Sequence, residues 1–424
     1  MAGTFLTRTV GAGNRKTWTW SSWIKRSKVG ELQNVWGVYV HANDNFRLFF
    51  TAGDALEFKF YNGTSYKVET TRLFRDTSAW YHIVCTADTT NSTQADRLRL
   101  YVNGERQSGG GTQPTQNLSM SVNDSNNFEI GRYNSGGYFD GSMSHINFVD
   151  GTALDASAFG STDSTTGEWK IKTSPSVTYG TNGYFILKDG NSVTDQSGNS
   201  NNFTVDGDIL SKTEDCPSNV FATGNFLIKG TNGNSNGNNT STSGQNSWET
   251  LFGTLGMATG KYYAEFKMIS NNVECGIVDI EQAQTFDIYP GSLSRGFGYR
   301  ANGDVYKGGS GQSGTFASYT AGDIIGVAVD MTNNKLYLSK NGTWQNSGDP
   351  TSGASGTGAL SIDSGYTYTF AFGAYNGSVS ANFGNGYFGT TAVSSAGTNA
   401  SNNGIFEYDV PSGYTALSTK GLNL

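Results

Sequence analysis

Cysteine, proline and histidine are all scarce in this 424-residue chain, and each shortage closes off a class of protein. The three cysteines, Cys85, Cys216 and Cys275, are odd in number and far apart, giving neither a disulfide framework nor a zinc pattern. Six prolines beside 57 glycines exclude a collagen or a proline-rich linker and fit short strands joined by tight turns. Charge is thin, with 15% charged residues and a net charge of −7, which argues against a nucleic-acid partner. No apolar run is long enough to cross a membrane, so no membrane insertion is expected. No long segment repeats its apolar residues at helical spacing, so little helix is expected. The opening Met1–Lys16 lacks the apolar core of a signal peptide, which leads to the expectation of a protein made and assembled in a cytoplasm. The early basic residues Arg15, Lys16, Lys25, Arg26 and Lys28 read as a solvated strand edge or loop.

What is present is alternation. In Ser78–Arg106, Tyr81, Ile83, Cys85 and Ala87 share one face of a strand, and Leu98, Leu100 and Val102 share one face of the next. Asn103-Gly104 then supplies the two positive-φ positions of a type I′ hairpin turn. The layout recurs in Asp323–Trp344, which also ends in an Asn-Gly turn, Asn341-Gly342. Trp18 and Trp20 alternate with Thr17 and Thr19 in an early core strand. Thr152–Pro175 is the expected place for short helical turns, and Tyr366–Ala374 and Ser378–Phe383 read as two separate strands.

A chain of this length exceeds one ordinary core. The expected architecture is all-β, two antiparallel β-sandwich (jelly-roll, concanavalin A-like) domains in tandem. The expected boundaries are 1–210 for the first sandwich, 211–245 for a linker or Gly-Asn-Ser-rich loop, 246–390 for the second sandwich and 391–424 for an extension packing back on the domains.

Three resemblances sharpen this reading. Trp80-Tyr81-His82-Ile83-Val84, Leu98–Gly104, Glu129-Ile130-Gly131 and Phe139-Asp140-Gly141 resemble the laminin-G-like, pentraxin-like branch of the concanavalin A-like sandwiches. Gly260–Glu265, Gly296-Phe297-Gly298-Tyr299, Gly322–Val327 and Leu336–Gly342 resemble a SPRY domain, with Ala264 standing where SPRY domains often carry tryptophan. The opening Thr4–Lys16, the junction Asp215–Thr223 and the ending Tyr408–Tyr414 resemble virion proteins of tailed phages. That last resemblance implies a virion location and a fibre, appendage or head-decoration role. Its expected partners are other virion proteins of capsid or tail and a host-surface glycan or protein, with oligomerisation on the symmetric particle.

Catalytic patterns are missing. Glucanases of the concanavalin-like fold use Glu-x-Asp-x-(x)-Glu, whose spacing puts carboxylates on one strand face. Here the nearest stretch, Ile277-Val278-Asp279-Ile280-Glu281, has isoleucine at the first acid position, and Glu274 is out of phase with both acids. The acids of this stretch read as turn and surface carboxylates. His41, His82 and His145 have no plausible Ser or Cys nucleophile as partner nearby in sequence and read as hydrogen-bonded structural residues. The expectation is therefore a non-enzymatic protein without a cofactor. The alternative is a free glycan-binding or glycan-degrading protein. The pentraxin-like resemblance makes calcium the one cofactor to consider, with Asp88, Asp96 and Asp124 (and Asn123) in candidate loops. Loops on a rigid β scaffold carry binding, and Tyr133, Tyr138 and Tyr306 have the character for stacking on a sugar or meeting a protein partner. Trp344 reads as either a platform or a core residue.

Overall fold

A computed structural model describes residues 3–188, 192–225, 227–228, 237–284 and 287–423. The chain divides into two compact units, Met1–Lys212 and Thr213–Leu424. Each is a sandwich of antiparallel strands, as the alternation of apolar residues requires.

In the first unit a seven-stranded sheet runs in the order Thr204–Asp206, Phe5–Thr9, Asn127–Ile130, Gln33–His41, Asp44–Phe50, Ala55–Tyr61, Ser65–Leu73. The facing sheet has six strands: Tyr184–Ile186, Gly141–Asp150, Thr17–Arg26, Tyr81–Asp88, Leu98–Val102 and Glu105–Arg106. The core between them is aromatic. Trp20 stacks on Trp36 at 5.5 Å with the rings 7° apart, and Trp18 meets Trp36 edge-on at 5.5 Å. Each such buried apolar side chain contributes roughly 1.5–3 kcal/mol relative to exposure.

The first hairpin forms as its sequence predicts. Ile83, Cys85, Ala87, Leu98, Leu100 and Val102 all face this core. Asn103 and Gly104 adopt φ of 48° and 85°. The Asn103 N–H donates to the His82 carbonyl (2.9 Å), and the His82 N–H donates back to Asn103 Oδ1 (2.8 Å). The other face of the hairpin is buried too. Val84 and Tyr101 pack under Ala156, Phe159 and the half-buried Trp169. The covering segment combines a short helical turn, Ala156–Ala158, with a two-stranded ribbon, Gly160–Thr162 and Trp169–Ile171, which helical turns alone did not anticipate. Lys25 and Arg26 are buried, contrary to the solvated reading. Arg26 is tolerated inside because Nη1 donates to Asp54 Oδ1 (3.0 Å) and the Phe74 carbonyl (2.6 Å) while the guanidinium lies 4.4 Å over the Phe50 ring.

In the second unit one long strand, Tyr368–Asn382, belongs to both layers. Its first part pairs with Val273–Asp279 and its last part with Lys261–Met268. The expected two strands are therefore one, turned at Asn376, whose φ is 46°. Thr240–Phe252 pairs along it on the other side, with a break in register between Ser243 and Trp248. This strand overturns the reading of 211–245 as linker throughout. Along its first part, Thr240–Ser243, small hydroxyl side chains find partners, such as Thr240 Oγ1 with Ser380 Oγ (3.0 Å), and the backbone ladder forms there without an apolar side chain. Phe221 and Ala222 are also buried in this unit. Phe226 and residues 229–236 of the expected linker lie outside the described residues.

The second hairpin, Ile324–Asp330 with Lys335–Lys340, repeats the first. Asn341 and Gly342 have φ of 48° and 78°. Asn341 N–H donates to the Ile324 carbonyl and Ile324 N–H donates to Asn341 Oδ1, both at 2.8 Å. Its outer face, with Ala328 and Tyr337, is covered by Phe406, Val410 and Tyr414 of the C-terminal stretch. Thr415–Ala416 adds a parallel strand beside Lys261–Met268.

Candidate functional site

A candidate site lies where the long strands of the second unit turn from one layer to the other. Trp248 stands directly opposite Tyr375 in the strand register, at the end of the register break. Next to them, Arg300 ends the strand Gly296–Arg300 and pairs in register with Glu274. Glu274 has a fully buried side chain. One carboxylate oxygen takes the Arg300 Nε–H at 2.7 Å and the other takes the Gly291 N–H at 2.6 Å. Burial pushes this carboxyl above its ordinary range, although Arg300 and the Gly291 N–H both favour the charged form. The bond to Glu274 holds the Arg300 guanidinium protonated against its own desolvation. Gly298 makes the pair possible, since a Cβ there would lie 1.5 Å from Glu274 Oε1.

Arg300 is itself packed among rings, 3.8 Å from the Tyr289 centroid, 4.4 Å from Tyr306 and 5.5 Å from Trp248. Beside this cluster opens a cleft of about 320 Å³, whose lining includes Trp248, Tyr375, Asn271, Asn272, Arg300 and Asn302. The arrangement offers aromatic surface and amides, and no Asp or Glu is among its described lining residues. It does not supply a general acid and base pair.

Within Ile277–Glu281, Asp279 departs from the expected turn-and-surface reading and Glu281 keeps it. Glu274 and Asp279 are buried, and each is matched by an arginine, Asp279 by Arg295 at 2.5 Å. Glu281 alone is exposed.

Of the residues singled out from sequence, Tyr306 lies at this site, against Arg300, with its hydroxyl donating to Asp304 (3.2 Å). Tyr133 and Tyr138 are in the first unit, on either side of a tight turn through Asn134 and Ser135. Tyr133 stacks against Arg47 (5.0 Å) and crosses Gly37, and burial pushes its hydroxyl up to about 12. Tyr138 meets Phe5 edge-on at 6.2 Å and is 39% exposed. Trp344 is half-buried and packs with Tyr263 (6.3 Å) under the C-terminal cover. Asp88 bonds Thr90 in its own turn (2.6 Å), Asp96 pairs with Arg106 (2.6 Å) and Asp124 with Arg15 (2.8 Å). Among the described residues no three His, Cys, Asp or Glu side chains gather into a metal-ligating group, so these three acids are not one ligand set.

His82 is buried between Trp23 (5.0 Å) and Trp169 (5.9 Å). Its Nδ1 accepts the Trp169 indole N–H (3.0 Å) and its Nε2 meets Ser21 Oγ (2.9 Å). Accepting at Nδ1 makes it the neutral tautomer protonated at Nε2, and burial lowers its pKa to about 3. His41 Nδ1 accepts the Asn43 N–H (3.1 Å), and His145 bonds Ser144 Oγ (2.7 Å).

Sequence reasoning missed Trp248, Tyr375, Arg300 and Glu274. Their juxtaposition comes from register between strands far apart in the chain. The available signal was the Gly-Phe-Gly of Gly296-Phe297-Gly298 ahead of Arg300.

Residues 4–158 match the family model of the concanavalin A-like lectin/glucanases superfamily, and the sheets agree with a concanavalin A-like, laminin G-type sandwich. The chain is similar to the SPRY domain of human HERC1, at 19% identity and TM-score 0.28, over 34% of this chain and 87% of that one. It is similar to the native heptameric SAP-like pentraxin of Limulus polyphemus, at 13% identity and TM-score 0.27, over 36% of this chain and 72% of that one. It is also similar to domain 4 of AbnA, a GH43 extracellular arabinanase of Geobacillus stearothermophilus in complex with arabinotriose, at 17% identity and TM-score 0.28, over 34% and 65%. No curated protein matches the chain.

Proposed function

We propose that this chain is a non-enzymatic structural protein on the surface of a tailed-phage particle, serving in host adhesion through glycan or protein binding, or in decoration of capsid or tail. The observation that carries the binding part is the cleft at Trp248 and Tyr375, which presents rings and amides while the buried Glu274 beside it is held by Arg300. The placement on a virion rests on the likeness of Thr4–Lys16, Asp215–Thr223 and Tyr408–Tyr414 to phage virion proteins. Its partners are then other capsid or tail proteins, and it is oligomeric by attachment to a symmetric particle, without cofactor.

The test is mass spectrometry of gradient-purified particles. Detection at stoichiometric copy number is expected, and recovery only in the lysate supernatant sinks the virion reading. The family match over 4–158 favours a second reading, a free glycan-binding or glycan-degrading protein. Turnover of a polysaccharide panel by the purified chain would establish it.

A further inference from the structure

We infer that the cleft between Trp248 and Tyr375 receives a neutral glycan. The inference rests on the binding reading above and adds the ligand's chemistry.

Charge decides against the two ionic classes. An aromatic cluster such as Trp248, Tyr289 and Tyr306 suits a cation, but the protein fills it with its own Arg300, 3.8–5.5 Å from the three centroids. A quaternary ammonium finds the place taken. An anion meets a guanidinium already matched by Glu274 and, at the rim, the exposed Asp304 carboxylate, which Asn302 Nδ2 holds at 2.7 Å. With one cation and two acids around it, the site offers an anionic sugar no net attraction.

What remains suits an uncharged polyol. Trp248 and Tyr375, 5.8 Å apart and tilted by 52°, both line the cleft. The C–H faces of a sugar ring carry partial positive charge and meet the negative face of an aromatic ring favourably. Asn271 commits its carbonyl oxygen to the Ala321 N–H (2.9 Å). Among the described residues, neither Asn271 Nδ2 nor the Asn272 side chain has a hydrogen-bond partner, although both line the cleft. An amide both donates and accepts, which is what a row of hydroxyls needs. The volume of about 320 Å³ is at the small end for ligand sites, which limits what the cleft itself grips to a short oligosaccharide stretch.

The experiment uses the full chain on a glycan array carrying neutral, sialylated and uronic-acid oligosaccharides, followed by calorimetry with the best neutral binder. Binding to at least one neutral glycan is expected. Trp248→Ala should weaken it by about tenfold, the worth of one good aromatic contact. Asn272→Ala, a change at an exposed position, should weaken it by about threefold with an unchanged melting temperature. It keeps the test valid should Trp248→Ala unfold the unit. Binding confined to acidic glycans, binding to none, or neutral binding unaltered in the folded variants each overturns the inference. The last result leaves the binder reading standing with its ligand elsewhere, whereas absence from particles defeats the virion reading whatever the array shows.

Discussion

The two units bury the outer face of the same hairpin by different means, and the difference lies in one buried titratable group in each. In the first, a mid-unit segment lies over Val84 and Tyr101, and Trp169 closes on the turn, where a Cβ on Gly104 would come 2.6 Å from its ring. In the second, the C-terminal stretch lies over Ala328 and Tyr337, and Tyr408 closes on Gly342 at the same 2.6 Å. The first cover is tied down by a neutral base, His82, accepting the indole N–H of Trp169. The second is tied down by an acid, Glu265, which accepts the backbone N–H groups of Glu407 and Tyr408, both at 2.8 Å. Burial pushes Glu265 up to about 7, outweighing those bonds and the Tyr263 hydroxyl. One architecture is therefore held by groups that respond to protons with opposite sign.

That contrast can be broken. Folded His82 takes a proton only near 3 while the unfolded residue takes one near 6.5, so the first unit should lose stability as pH falls between those values. The full difference is on the order of 5 kcal/mol, and His82→Gln should flatten the slope. Folded Glu265 holds its proton to about 7 and the unfolded residue only to about 4.5, so the second unit should lose stability as pH rises through that window. The expected loss is roughly 3 kcal/mol, and Glu265→Gln should remove the dependence. Pulse proteolysis in urea across pH 3–8, with peptides assigned to each unit, reads both slopes. Parallel slopes would refute the contrast.

Smaller effects sharpen the equivalence of the hairpins. Asn103→Ala and Asn341→Ala each lose a side-chain bond and put alanine at positive φ, at a cost of about 1–2 kcal/mol. Urea midpoints that differ between the two variants by more than the error of the fit would show that the turns are not interchangeable. The smallest change concerns metal. With Asp96 and Asp124 engaged by Arg106 and Arg15, a chelator should leave the melting temperature of the first unit unmoved in a thermal scan.

The hairpins were legible because the turn demands two positive-φ residues in succession and Asn-Gly supplies them. The tryptophans of the first core were legible because alternation declares a face. The strand Thr240–Phe252 was not, because Ser, Thr and Asn there satisfy a backbone ladder without an apolar pattern. Buried Arg26 and Glu274 were hidden for another reason. A charge inside a sandwich depends on a partner brought by register, Asp54 in one case and Arg300 in the other, and single-strand reading sees neither. The same holds for the cleft. Tyr306 was found by its residue type, while its neighbours are assembled by strands that meet only after folding.

The ties that finish each sandwich also set its clock. Thr7 bonds Asp206 across 199 positions, and Glu265 bonds Glu407 across 142. Closing such loops has to precede the contacts that reward it, so each unit is expected to assemble slowly, on the millisecond-to-second scale of high-contact-order β proteins. Escape is governed separately, by the contacts that have to break before the barrier is reached. Persistence of the folded form over time, measured as an unfolding rate, is then as informative about this protein's working life as its equilibrium stability.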